Sequence, residues 1–185
     1  EFDFGRGLAA CNAATAQILP VGRFAVALQN LPMPKSSPSL ARIEPPALPQ
    51  TVATKLAEYP PVIRQRVLAL REIVFMVAAK TPGVGPLEES LKWGEPAFAT
   101  VESKSGSTVR IAWRPKQPSQ YAMYFNCQTT LVDSFKTMFP TAFRYEGNRA
   151  LVFEQGDEVA VEALRICIAM ALTYHCDRKA AKAPR

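Results

Sequence analysis

Residues Thr108 to Arg114 alternate without a break, with Val109, Ile111 and Trp113 on one side and Arg110, Ala112 and Arg114 on the other. Strand side chains repeat every two residues, so this stretch reads as a strand with one buried and one wetted face. Its neighbours are short runs divided by turn residues. Leu87 to Trp93 is a strand or a single helical turn, followed by a turn at Gly94-Glu95-Pro96. Ala97 to Glu102 is a strand, and Lys104-Ser105-Gly106-Ser107 a hairpin loop. Pro115 to Ser119 is a loop and Tyr121 to Phe125 another strand. Phe143 to Glu146 and Arg149 to Glu154 flank Gly147-Asn148, the signal of a two-residue hairpin.

Three helices punctuate these strands. Pro60-Pro61 suits a first turn, and Ile63, Val67, Leu70, Val74 and Val77 then form one apolar stripe, with Arg64, Gln65, Arg71 and Glu72 off it. Thr81 to Pro86 stops that helix. Thr130 and Asp133 resemble a capping box opening a helix through Leu131, Val132, Phe135 and Met138, which Pro140 ends. Val159 to Tyr174 carries Val161, Leu164, Ile168, Ala171 and Leu172 on its buried side. Because hairpins dominate, the expected class is α+β: an antiparallel sheet of about five or six strands with helices packed on it.

Composition bounds the rest. The 185 residues, 48% hydrophobic and 21% charged, make a soluble globular balance with one core. No run of about 18 apolar residues exists to span a membrane. Four cysteines do not make a disulfide framework in a chain this size, which fits a cytoplasmic protein. The net charge of +6 points first to a polyanionic partner, but it is unevenly placed. Residues 1–50 have four basic and three acidic groups, residues 51–177 have 14 and 13, and residues 178–185 have four and none. Seven of 16 prolines also fall in residues 1–50. Three regions follow: a Pro-rich N-terminal extension (1–50), a nearly neutral folded domain (51–177) and a basic tail (178–185). Glu1-Phe2 is what a common cloning site encodes, so part of the extension is expected to be vector-derived. Leu8-Ala9-Ala10-Cys11 looks like a lipoprotein cleavage box but lacks the basic start and apolar segment a true one needs.

Tyr59-Pro60-Pro61 precedes a helix reading Val67-Leu68-Ala69-Leu70-Arg71-Glu72-Ile73. Glu89-Ser90-Leu91-Lys92-Trp93-Gly94-Glu95-Pro96-Ala97-Phe98 follows, with a Lys-Trp-Gly-x-Pro core, and then Ala122-Met123-Tyr124-Phe125. In these strings, residues 58 to 176 resemble the YdhG-like family of domains of unknown function. The resemblance implies a compact α/β sandwich that has been compared with frataxin. One branch of that family has been proposed to act as an intracellular iron chaperone. No catalytic motif comes with the resemblance.

Physical reasons exist for the same string. Gly94 accepts a positive φ, Pro96 fixes entry to a strand, Trp93 is large enough to fill a sheet–helix junction, and Lys92 alternates to a solvated side. The aromatic density points to a non-enzymatic binding module for a small ligand or a protein. Its expected pocket lies between sheet and helices and involves Lys92, Trp93, Phe98, Trp113 and Tyr124. No metal-ligand spacing or catalytic residue is identified, and no cofactor is expected. Iron is the alternative, weakly held on Glu88-Glu89 or on Asp157-Glu158 with Glu162, yet these acids form no ridge. Cys127, before a helix N-terminus, is the one route to nucleophilic chemistry; His175 is the only imidazole. A nucleic-acid platform of Lys104, Arg110, Arg114 and Lys116 with Tyr121 and Trp113 is split, because Trp113 alternates away from the arginines. Nucleic acid is therefore an unlikely partner, with weak binding through the basic tail as the remaining route.

Overall fold

Pro61 opens a 20-residue helix because its missing N–H is one that a helix start leaves unpaired anyway. In the computed structural model, which describes residues 45–182, this is the second helix, α2 (Pro61–Lys80). It follows α1 (Gln50–Ala57). Strands β1 (Glu88–Lys92), β2 (Glu95–Ala99), β3 (Val109–Trp113) and β4 (Gln120–Tyr124) come next. Helix α3 (Leu131–Met138), strands β5 (Arg144–Glu146) and β6 (Ala150–Glu154), and helix α4 (Val161–Lys182) complete the chain. The class is α+β, with one antiparallel sheet ordered β1-β2-β3-β4-β6-β5. Residues 1–44 and 183–185 lie outside the described residues, and with them most of the Pro-rich extension, the Leu8–Cys11 string and the last residues of the basic tail. Among the described residues no helix is long and apolar enough to cross a membrane.

Register decides which side chains share a face. Ile111 pairs with Met123 and Met123 with Leu151; Trp113 pairs with Tyr121 and Tyr121 with Phe153. These rows, with Phe98 and Val109, join residues of all four helices in one apolar core. Burying each large side chain contributes about 1.5–3 kcal/mol. On the other face, Ala97, Arg110, Tyr124 and Ala150 form one row, and Ala112, Ala122 and Val152 the next. A small separate cluster of Ala112, Ala122, Tyr124 and Ala150 sits there, apart from the helices.

The α2 stripe is buried as its spacing requires. Several local readings need correction. Helix α1 was absent from them, although Val52, Leu56 and Tyr59 fall at helical spacing and are buried. Arg71 is off the stripe and still buried, because Glu89 of β1 meets it: Nε donates to Oε1 at 2.8 Å and Nη2 to Oε2 at 2.7 Å. Nη2 also donates to the Pro46 carbonyl at 2.7 Å. Thr130 makes no side-chain cap bond, and Met138 is exposed, since α3 is too short to bury both ends of its face. The β5–β6 connection has three residues, not two: Glu146 pairs with Ala150, and the Arg149 N–H donates to the Glu146 carbonyl. Helix α4 runs on through Lys182, so the basic tail begins as helix.

The β2–β3 loop is more than a turn. Ser105 Oγ donates to the Leu172 carbonyl at 2.7 Å, and the Ser107 N–H to the Ala171 carbonyl at 2.8 Å. The Ser105 carbonyl accepts from the backbone N–H groups of His175 and Cys176. Between them Gly106 lies so near α4 that a Cβ there would sit 2.2 Å from the Leu172 carbonyl oxygen. Only glycine permits that backbone approach.

Candidate functional site

Lys92 pairs with Glu95, so the β1–β2 connection is the two residues Trp93 and Gly94. Both have positive φ, 53° and 74°. Two positive φ values in a two-residue loop define the turn whose twist suits a hairpin, and Asn-Gly is its preferred sequence. Gly94 fits; a bulky residue at Trp93 is out of place. Trp93 is also 84% exposed, so it fills no sheet–helix junction. The expected turn at Gly94-Glu95-Pro96 therefore shifts one residue upstream, with Glu95 and Pro96 already in β2.

One side of the indole is occupied. The Arg110 guanidinium lies 4.6 Å from the Trp93 ring centroid and 5.6 Å from that of Tyr124. Arg110 Nη1 donates to Glu95 Oε2 at 2.5 Å. Arg114 sits 5.2 Å from the Tyr124 centroid on the same face. Alternation along β3 puts both arginines there, and register with β4 brings Tyr124 beside them. Tyr124 is buried, and loss of solvent pushes its phenol above the ordinary tyrosine range, with Arg114 opposing.

The five expected pocket residues do not share a pocket. Phe98 is fully buried on the helix side, edge-on to Phe75 at 5.7 Å. Trp113 also lies on that side, against Tyr59 at 5.4 Å, with Nε1 donating to the Pro118 carbonyl. Lys92 and Tyr124 belong to the opposite face, with Trp93 reaching over it from the turn. Strand alternation separates the two sets, so the site is an open face in place of an internal cleft. The depression beside Tyr124, lined by Ala112, Arg114 and Gln117, holds about 10 Å³, room for one water. Larger grooves lie elsewhere, at the α2–α4 seam and beside Arg144.

Three of the five candidate acids are already engaged. Glu89 is held by Arg71, Asp157 bonds Arg144 and the Glu154 N–H, and Glu162 bonds Arg165 at 2.6 Å. Among the described residues no three His, Cys, Asp or Glu side chains converge as metal ligands. Cys127 and Cys176 are exposed and Cys167 is buried, which sets the two α4 cysteines on opposite faces. Burial pushes the Cys167 thiol up to about 12, so it is unreactive. His175 is exposed beside Tyr174, its backbone N–H engaged by the β2–β3 loop.

No family model matches the chain, and no curated protein matches it. Among solved structures it matches the crystal structure of YdhG, a duf1801-family protein from Bacillus subtilis. The chain is similar to a YdhG-type domain. The identity is 17% and the TM-score 0.47, over 69% of this chain and 92% of that one.

Proposed function

We propose that this domain is a non-enzymatic binding module whose contact surface is the helix-free sheet face around Trp93. One observation carries the reading. Trp93 is 84% exposed at φ 53°, a position that neither burial nor turn preference explains. A non-glycine residue in the left-handed region costs about 1–3 kcal/mol, a strain typical of functional positions. Trp, Tyr and Arg are also the residues that dominate binding energy at interfaces. The face has room for only a single water beside Tyr124, which favours an extended partner over a small enclosed ligand.

Affinity capture tests this with the immobilised full-length chain. The chain is expected to retain from a cell extract at least one component that Trp93→Asn and Arg110→Ala both lose. An α2–α4 groove variant, Ile166→Ala, should retain it. Identical profiles for all four proteins contradict the reading.

A further inference from the structure

We infer that the partner of the Trp93 face is a single-stranded nucleic acid, one base stacking on the indole and neighbouring phosphates reaching the flanking cations. This rests on the binding-module reading and adds the ligand's class. Three features converge. First, the Trp93 ring stays 84% exposed although Arg110 lies 4.6 Å from its centroid, so one ring face is open to a planar group. Second, two of the acids near it are held in ion pairs while two cations beside it are not. Glu95 is tied to Arg110 and Glu146 to Arg149, while Glu154 accepts from the neutral Gln120 amide and keeps its charge at the Gln120 end of the face. Among the described residues, Lys92 and Arg114 on this face have no ion-pair partner. The exposed Glu88 stands at the far end of β1 from the turn. Third, the residues between them are small: Ala97, Ala112, Ala122 and Ala150 lie buried beneath the neighbouring side chains and add no bulk of their own above the sheet.

A nucleotide offers one planar ring and one anion per unit, the pairing that this surface presents in complement. Aromatic stacking of this kind tolerates any base and needs the base unstacked. The split platform expected from Trp113 and Tyr121 is indeed split, since both face the helices. The aromatics beside Arg110 and Arg114 are instead Trp93 from the turn and Tyr124 from β4.

The test is a fluorescence titration of the full-length chain with single-stranded oligothymidylate of about twelve nucleotides. Tryptophan quenching and weak, salt-sensitive binding are expected. Trp93→Ala should weaken binding about tenfold, whereas Trp93→Phe retains most of it. Arg114→Gln should lower the slope of log K against log salt by about 0.7, the value for one phosphate contact to a single strand. A duplex of equal length should bind less well than the single strand. Polyglutamate competing as well as the oligonucleotide would identify an acidic protein partner and overturn the inference. So would binding indifferent to Trp93 but abolished by neutralising Arg178, Lys179, Lys182 and Arg185. Absence of any binding also overturns it, while Trp93-dependent capture of some other component would leave the binding-module reading standing.

Discussion

Two hairpin connections in this sheet, β1–β2 and β2–β3, follow opposite rules. The longer one, between β2 and β3, ends in small residues that are driven into the fold. Ser105 and Ser107 are nearly fully buried, and Gly106 touches the α4 backbone. Lys104, just ahead of them, is also in the left-handed region at φ 52°, but there the turn delivers Ser105 to α4. The shorter one, Trp93-Gly94, places the largest side chain type in a strained conformation and leaves it in solvent. A turn selected for stability alone has Asn at that position. Local sequence that agrees with the fold indicates a structural role; local sequence that opposes it, at a stability cost, marks a site kept for another purpose.

Substitutions on the two sides of this contrast sharpen it. The largest effect is expected from the ion pair that seats β1 on α2. Glu89→Ala leaves a buried guanidinium without its carboxylate and should cost about 3–5 kcal/mol in chemical denaturation. Arg71→Met with Glu89→Leu should recover most of that loss, because the desolvation penalty disappears with the charges. Gly106→Ala follows, at about 3 kcal/mol, the upper part of the usual overpacking range. A loss below about 1 kcal/mol would show that the loop yields and that its docking on α4 is not tight. Raising pH loosens the same region. The folded-state pKa of Cys167 lies above its unfolded value, so the unfolded state loses its proton first. Its contribution is intact below about pH 9 and falls between pH 9 and 12, by about 1.4 kcal/mol per unit at most. Tyr59, Tyr121, Tyr124 and Tyr145, all raised chiefly by burial, add to the decline above about pH 10. Cys167→Ala should flatten the earlier part of that decline in pH-dependent melts.

Much of the docked side was legible in the sequence. The α2 stripe and the alternation of β3 are local patterns, and burial follows both. Arg71 was not legible, because its partner is Glu89, eighteen residues away, and helical periodicity marks any arginine off the stripe as solvated. The Gly147-Asn148 pair promised a two-residue turn; register with β6 moved Arg149 into the loop. The binding face was half legible. Alternation alone separates Arg110 from Trp113, but grouping Tyr124 with Arg110 requires the β3–β4 register. The exposure of Trp93 was not legible, because hydrophobicity argues for burial and nothing in Lys-Trp-Gly-x-Pro shows that the turn falls on the tryptophan.

The central claim is that Trp93 is retained for binding at a cost to the fold, and the stability of Trp93→Asn tests it most directly. Asparagine tolerates the left-handed region, relieving about 1–3 kcal/mol of strain. The exposed contact with Arg110 that is lost contributes about 0.5–1 kcal/mol. Equilibrium urea denaturation should therefore show the variant more stable than the parent by about 1 kcal/mol. A variant less stable by a similar amount would make Trp93 a structural residue and contradict the account.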